Sequence, residues 1–122
     1  SILFVDDDVA TCLIMQRMIQ NLGHRCDVAH SSDEALTAVS NNNYSMLFID
    51  AYLPTSSGWD LACEIQSLPK AIHSRRIIGM SSMKVSFLEK RFEDAGMDTL
   101  LTKPIQRRDL VSVIGVHAET LI

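Results

Sequence analysis

Three consecutive aspartates, Asp6 to Asp8, directly follow the apolar run Ile2–Val5. Carboxylates this close repel one another, so ionisation of all three is costly unless a cation lies nearby. Three later apolar runs end in other reactive or polar side chains, namely Asp50, Ser81 and Lys103. A carboxylate can bind Mg²⁺ or attack a phosphoryl group, while a lysine and a hydroxyl can stabilise phosphoryl oxygens. These residue types therefore indicate magnesium-assisted phosphoryl chemistry.

The elements that must position these residues can be read from the hydrophobic pattern. Five apolar runs have the length of buried strands, and they are Ile2–Val5, Cys26–Ala29, Met46–Ile49, Ile77–Met80 and Thr99–Thr102. Helical spacing predicts five helices, at Ala10–Leu22, from Ser31 to Asn41, after Gly58, from Ser86 to Ala95, and from Arg108 to the C-terminus. Five βα units in series predict an α/β fold with a doubly wound, five-stranded parallel sheet.

Ligands of such sheets bind beyond the carboxyl ends of the strands. The predicted strand ends would bring Asp6, Asp7, Asp50, Ser81 and Lys103 to one cleft. Hard oxygen ligands without histidine or cysteine favour Mg²⁺. A cation bound there would also offset the repulsion among the aspartates.

Length and composition limit the other possibilities. The 122 residues fit one domain, 1–122, with 47% hydrophobic and 21% charged residues, a balance typical of globular proteins. The net charge of −4 provides no basic surface for nucleic acid or an anionic membrane. Three widely spaced cysteines favour neither zinc nor disulfides, so we expect core thiols in a reducing cytoplasm. Because the first strand begins at the second residue, we also expect a longer parent protein.

The motifs "FVDDD", "FIDAYLPTSSG", "MSS" and "TKP" resemble those of the response-regulator receiver domain of two-component signalling. The family pattern is an acidic pair after strand one and an aspartate followed by proline and glycine four and eight residues later. It continues with serine or threonine after strand four and Lys-Pro after strand five. The residues that match this pattern are Asp6, Asp7, Asp50, Pro54, Gly58, Ser81, Lys103 and Pro104. The resemblance spans the chain and implies the flavodoxin-like strand order 2-1-3-4-5.

The resemblance implies a role for each residue of the site. Asp50 would accept the phosphoryl group, Lys103 would pair with it, and Ser81 would hydrogen-bond one of its oxygens. Asp7, Asp50 and the backbone carbonyl of Tyr52 would bind Mg²⁺, or Mn²⁺ in its place, and Asp6 would act through a metal-bound water. The bond between Lys103 and Pro104 resembles one that is cis in the family. Asp8 would be a spare acid facing solvent or the first turn of helix one.

The resemblance also implies partners. The phosphoryl group would come from a phosphohistidine of a sensor histidine kinase or a phosphotransfer protein, and phosphorylation would alter affinity for a downstream protein. We expect no contact with nucleic acid or membrane by this domain and a cytoplasmic location. The domain would be a free-standing regulator or part of a hybrid histidine kinase, and an enzyme only in catalysing its own modification. Helix one, with Met15, Met18 and Ile19, is the family's usual side for the phosphodonor.

The family's usual output face lies on helix four, strand five and helix five. Its candidate residues here are Phe87, Leu88, Phe92, Leu100, Ile105, Val113 and Val116.

Three residues depart from the usual family pattern. Leu100 lies three residues before Lys103, where the family often has an aromatic switch residue, so an aromatic rotamer change cannot report phosphorylation here. Tyr52 and Met83 occupy two positions that tune loss of the phosphoryl group. Neither side chain carries an acid or amide that would orient a water molecule, so we expect a long-lived phospho-form.

Two other functions remain open at this point. The segment "ILFVDDDVAT" also fits the first motif of haloacid-dehalogenase-like phosphatases, with Asp6 as nucleophile and Asp8 as general acid. That family's final acidic pair has no counterpart, and Asp50 with Pro54 would be unexplained. The other alternative is a pseudo-receiver that binds partners without accepting phosphate, although the acids and the lysine of the site are all retained.

Overall fold

The structure is a computed structural model that describes residues 1–68, 76–82 and 89–115. Within these ranges strands and helices alternate along the chain. The strands are β1 (Ile2–Val5), β2 (Cys26–Ala29), β3 (Met46–Asp50), β4 (Arg76–Ser81) and β5 (Thr99–Thr102). The helices are α1 (Val9–Asn21), α2 (Ser32–Asn41), α3 (Gly58–Gln66), α4 (Glu89–Asp94) and α5 (Arg107–Ile114).

The five strands are parallel and lie in the order β2-β1-β3-β4-β5. In this register Ile2 of β1 lies beside Cys26 of β2 and Met46 of β3. Every residue of β1 and β3 is buried, as expected for central parallel strands that are covered on both faces. The predicted fold class and strand order are confirmed.

Each face of the sheet has its own apolar core. Because side chains alternate along a strand, Leu3 and Val5 of β1 contribute to one core and Ile2 and Phe4 to the other. The first core includes buried side chains of α2 and α3, namely Ala35, Val39, Leu61, Ala62 and Ile65. The second includes those of α1 and α5, namely Cys12, Met15, Ile19, Leu110 and Val113.

Polar side chains begin three of the helices. The side chains of Asp8, Ser31 and Ser57 accept hydrogen bonds from the first-turn backbone amides of α1, α2 and α3. These contacts satisfy amides that have no partner within the helix. Ser31 and Glu34 have the spacing of a capping box, and the Ser31 Oγ accepts from the Glu34 amide.

Several predicted details differ from the structure. Helix α1 begins at Val9, one residue early, because Asp8 caps it. Leu13, one of the apolar residues of this helix, is 60% exposed. Cys12 and Cys26 are core thiols as expected, but Cys63 is exposed because it lies on the solvent side of α3.

The ends of the last two helices are only partly covered by the described residues. The predicted start of the fourth helix, at residues 86–88, lies outside them, as does the predicted continuation of the fifth helix from residue 116. Among the described helices, none has the length and apolar character required to cross a membrane.

Candidate functional site

The carboxyl ends of four strands bring the predicted residues to one edge of the sheet. Asp6 follows β1, Asp50 and Ser81 end β3 and β4, and Lys103 follows β5. Asp6, Asp50 and Ser81 are buried, with exposed fractions of 0%, 6% and 0%. Asp7 lies beside them and is exposed. The strand order therefore brings together the residues that the sequence predicts for phosphoryl chemistry.

Three aspartates form an oxygen-rich cluster at this edge. One carboxylate oxygen from each of Asp6, Asp7 and Asp50 lies within 4.8 Å of the others. Backbone amides fix two of the carboxylates, because the Asp8 amide donates to Asp6 Oδ1 at 2.9 Å and the Tyr52 amide donates to Asp50 Oδ1 at 3.2 Å. Two fixed carboxylates and one exposed carboxylate fit a hard divalent cation that retains several waters, as Mg²⁺ does.

Lys103 bridges the two buried aspartates. Its Nζ donates to Asp6 Oδ2 at 2.8 Å and to Asp50 Oδ2 at 2.9 Å. Burial disfavours its ammonium, but the two hydrogen bonds and the nearby negative charge outweigh this effect and raise the pKa of Lys103. The cation that offsets repulsion between Asp6 and Asp50 is thus supplied partly by the chain itself. The family resemblance assigns Lys103 only to the phosphoryl group, and nothing in the sequence reveals its contact with the two aspartates.

Asp50 is held in an environment that opposes its charge. Burial is the largest influence on its carboxyl and raises its pKa above the ordinary value of 3.8, although hydrogen bonds from Lys103 and from the Tyr52 amide act in the opposite direction. The negative charge of Asp6 adds to the increase. A buried carboxylate with few compensating donors is a stronger nucleophile than a fully hydrated one.

Asp8 is separate from the cluster, as expected. Its carboxylate is exposed and accepts hydrogen bonds from the hydroxyl of Thr11 at 2.6 Å and from the amide of Ala10 at 3.2 Å. The hydrogen bond from Thr11 is the main reason that the pKa of Asp8 is lowered. Asp8 therefore starts helix α1 as a charged cap.

Gly58 allows the acceptor strand and helix α3 to approach closely. A Cβ at this position would lie 2.2 Å from the carbonyl oxygen of Asp50 and 3.1 Å from the Cα of Ala51. The Gly58 amide donates to the Ala51 carbonyl at 2.8 Å. Because the obstructing atoms belong to the backbone, they cannot move aside as a flexible side chain could. Glycine at this position thus keeps α3 against the end of β3, where Asp50 lies.

The geometry can be compared with known proteins. The family model of the response regulator receiver domain matches residues 2–115. The chain belongs to this family. The predicted recognition is confirmed, and the chain is a receiver domain of two-component phosphorelay signalling.

Curated relatives of this receiver domain include much longer proteins. It is 28% identical over 123 residues to hybrid signal transduction histidine kinase L of Dictyostelium discoideum, covering 97% of this chain and 7% of the relative. It is 26% identical over 118 residues to sensor histidine kinase RcsC of Salmonella typhi, covering 97% of this chain and 12% of the relative. The chain thus spans only a small part of these two relatives.

Solved structures show the same fold. A CheY-like response regulator receiver domain from Methylobacillus flagellatus has a TM-score of 0.85 and 28% identity, with 93% of each chain covered. A second CheY-like receiver domain protein, from Methanospirillum hungatei JF-1, has a TM-score of 0.83 and 25% identity, with 93% of this chain and 88% of that chain covered.

The remaining receiver-domain positions can be placed in part. The Lys103–Pro104 bond is cis, as predicted. Leu100 is half-buried and packs against the first core, so an aliphatic side chain fills the usual switch position. The Ser81 carbonyl accepts from the Lys103 amide at 2.8 Å, which ties the ends of β4 and β5 together. Met83 lies outside the described residues.

Two aromatic residues border the receiver site. The ring of Tyr52, 45% exposed, meets the ring of Trp59 edge-on, with centroids 6.0 Å apart and planes at 82°. The guanidinium of Arg91 lies 5.3 Å from the centre of the Trp59 ring. The contact of Arg91 with this border cannot be predicted from the sequence, since contacts between residues 32 positions apart leave no signal in a hydrophobic pattern.

Proposed function

We propose that this receiver domain accepts a phosphoryl group on Asp50 from the phosphohistidine of a sensor histidine kinase or phosphotransfer protein. The observation that carries the proposal is the buried Asp50 carboxylate, which lies among Asp6 and Asp7 and is contacted by the ammonium of Lys103. This arrangement supplies a nucleophile, a set of oxygen ligands and a cation at one point. We propose the same division of roles for these residues as the family resemblance implies.

The acidic cluster fits Mg²⁺, with Mn²⁺ as a substitute. Asp7, Asp50 and the backbone carbonyl of Tyr52 would hold the ion directly, and Asp6 would hold it through a water molecule. Bound Mg²⁺ supplies positive charge that offsets the phosphoryl oxygens and lets two anions approach each other.

The residues of the chain perform the transfer itself. A carboxylate oxygen of Asp50 forms a bond with phosphorus as the bond between phosphorus and the donor imidazole nitrogen breaks, and the imidazole leaves with the bonding pair. Lys103 transfers a hydrogen bond from Asp50 to a phosphoryl oxygen, and the hydroxyl of Ser81 donates to another. Charge neutralisation and positioning account for the rate, since this transfer needs little other covalent chemistry.

Helix α1 offers a surface for the phosphodonor. Val9, Leu13 and Ile14 are 57%, 60% and 57% exposed, whereas Met15 and Ile19, expected on this surface, are buried in the second core because they face the sheet. Ile14 also borders a pocket of about 400 Å³ whose lining includes Lys103 and Pro104. We propose that the phosphodonor covers these aliphatic side chains.

The described residues indicate less about the surface that would bind the downstream partner. Among the residues expected on the output face, Ile105 and Val113 are buried and Leu100 is half-buried, so they contribute mainly to the cores. Phe87, Leu88 and Val116 lie outside the described residues.

The three cysteines are free, which supports the proposed cytoplasmic location.

The phosphatase alternative receives no support from the geometry. It requires Asp8 as the general acid, yet the carboxylate of Asp8 caps α1, is exposed and is hydrogen-bonded to Thr11. Its lowered pKa keeps it ionised and unsuited to donating a proton near neutral pH.

Chemical trapping tests the proposal. The protein is incubated with acetyl phosphate, with and without Mg²⁺, reduced with borohydride and mapped by mass spectrometry. We expect Mg²⁺-dependent labelling of Asp50, its loss in Asp50→Asn, and retention in Asp8→Asn, which removes an acid outside the cluster. Labelling of Asp6 would support the phosphatase instead. No labelling by acetyl phosphate, together with no labelling by a phosphohistidine protein, would support the pseudo-receiver.

A further inference from the structure

A series of three contacts connects helix α4 to the proposed phospho-acceptor. The Arg91 guanidinium of α4 lies over the ring of Trp59 on α3, at 5.3 Å from its centre. The Trp59 ring meets the Tyr52 ring edge-on at 6.0 Å. The backbone amide of Tyr52 donates to Asp50 Oδ1 at 3.2 Å. We refer to Arg91, Trp59 and Tyr52 together as the aromatic bracket.

Each contact of the aromatic bracket has a physical basis. The face of an indole ring carries partial negative charge and attracts a guanidinium, whereas its edge is partially positive. Edge-to-face packing is a favoured arrangement for aromatic pairs at this centroid separation. Arg91 and Tyr52 therefore constrain Trp59 from two directions.

The backbone around Tyr52 couples its ring to Asp50. Tyr52 forms an isolated bridge with Ser57, and the Leu53 amide donates to the Ser56 carbonyl at 3.1 Å. The short loop between β3 and α3 is thus closed on itself, so the backbone that carries both the Tyr52 ring and the amide contacting Asp50 is held by hydrogen bonds of its own.

We propose that Arg91 and Trp59 are positioning residues that hold Tyr52 beside the phosphoryl site and so set the lifetime of phosphorylated Asp50. The inference rests on the proposed phosphorylation of Asp50. Phospho-Asp50 is lost when a water oxygen bonds to phosphorus, the bond from phosphorus to the Asp50 oxygen breaks, and the water proton leaves with phosphate or solvent. Tyr52 has no acid or amide to orient that water, so a fixed Tyr52 ring slows the reaction by excluding it.

In this receiver domain the usual aromatic switch position is occupied by Leu100. The aromatic bracket provides a different physical connection between the acceptor and α4.

The test compares Arg91→Met with Lys90→Met, which removes a positive charge from an exposed neighbour on the same helix. Each purified protein is phosphorylated with acetyl phosphate and Mg²⁺, and the decay of phospho-Asp50 is followed after the donor is removed. We expect Arg91→Met to shorten the lifetime about two- to fivefold, the size of an exposed cation–π contact. Lys90→Met should leave the lifetime unchanged. In a Trp59→Leu background, Arg91→Met should have no further effect.

A second measurement is independent of phosphorylation. Trp59 is the single tryptophan of the chain, so acrylamide quenching of its fluorescence reports the bracket directly. We expect stronger quenching in Arg91→Met than in Lys90→Met, because removal of the guanidinium uncovers one face of the indole.

Each outcome of these measurements has a distinct meaning. Labelled Asp50 with equal lifetimes in wild type and Arg91→Met would overturn the bracket but leave the proposed function intact. An effect of Arg91→Met that persists in the Trp59→Leu background would also overturn it, because Arg91 would then act by another route. Failure to label Asp50 in the wild type by any donor would overturn the proposed function, and this inference with it.

Discussion

The two ends of the sheet pair their charged side chains differently. At the amino end, three exposed charged side chains have neutral partners: Asp27 accepts from the hydroxyl of Tyr44 at 2.6 Å, Arg76 donates to the Val113 carbonyl at 2.7 Å, and Asp98 accepts from the Ile77 amide at 2.8 Å. At the carboxyl end, three carboxylates cluster, and the ammonium of Lys103 contacts the two buried ones, Asp6 and Asp50.

The polar groups at the amino end contribute to stability, whereas those at the carboxyl end contribute to function. The polar contacts at the amino end fasten strands and α5 together and require no ligand. The carboxyl end concentrates like charges whose repulsion only a cation relieves. An arrangement that opposes folding but favours binding is expected at a functional site, where stability is commonly lower than it could be. Removing an acid at the carboxyl end should therefore stabilise the fold and respond to Mg²⁺, whereas removing a polar group at the amino end should destabilise it.

The largest effect is expected from Lys103→Met. It removes the ammonium that contacts both buried aspartates. The unfolding free energy should therefore fall by about 2–3 kcal/mol. This is a low value for breaking a buried ion pair, because the Lys103 side chain is 25% exposed. Because the pKa of Lys103 is raised above 10.5, its contribution persists at all pH values below that and is lost only as pH rises through the folded-state pKa. Urea unfolding at pH 7 and pH 10 should therefore give the same loss.

The same variant should lose activity as well as stability. We expect phosphorylation of Asp50 to slow by about a hundredfold, as is typical when a donor to developing charge is removed. Lys90→Met, on the surface of α4, serves as the control and should alter neither quantity. A Lys103→Met protein as stable as the control would show that Asp6 and Asp50 do not depend on this cation.

A smaller effect is expected at the amino end from Tyr44→Phe. Tyr44 is 3% exposed, and burial, together with its hydrogen bond to Asp27, raises the pKa of its hydroxyl. Loss of this hydrogen bond should lower the unfolding free energy by about 1–2 kcal/mol, since the acceptor is charged but exposed. Urea unfolding measures the change. Phosphorylation of Asp50 should stay at the wild-type rate, and a slower rate would contradict the separation between the two ends.

The sequence was sufficient to predict the architecture and the location of the site. The apolar run Ile2–Val5 is fully buried, and a strand that is apolar throughout leaves few alternatives to a central parallel position. The site followed because residues at the carboxyl ends of parallel strands must meet at one edge. Asp6, Asp50 and Lys103 could therefore be placed together without coordinates.

Side-chain contacts between distant elements could not be predicted. The bridge from Lys103 to Asp6 and Asp50 depends on where a flexible side chain ends, and several partners were possible at the same edge. The contact between Arg91 and Trp59 depends on the relative rotation of α3 and α4. The exposure of Leu13 could not be predicted for a related reason, because a helix with apolar residues on more than one side does not reveal which side faces the sheet.

The smallest effect, and the only one expected to be stabilising, is that of Asp50→Asn. Burial raises the pKa of Asp50 above 3.8, so between its unfolded and folded pKa values the folded state binds more protons and stability falls as pH rises. Above that window the carboxylate opposes folding by a constant amount. A neutral amide of similar shape should increase the unfolding free energy at pH 7 by about 1 kcal/mol, an ordinary size for one substitution.

The dependence of the stability gain on pH and Mg²⁺ distinguishes removal of a buried charge from any other effect of the new amide. The gain from Asp50→Asn should shrink as pH falls towards 3.8, because the wild-type carboxyl then becomes protonated and loses its penalty. Millimolar Mg²⁺ should also reduce the gain at pH 7, since the ion stabilises the intact cluster more than the cluster with one acid removed. Thermal unfolding at pH 4 and pH 7, with and without Mg²⁺, tests these points. A variant less stable than wild type at pH 7 would mean that the bridge from Lys103 outweighs the cost of burying Asp50, and the two ends of the sheet would then differ less than proposed.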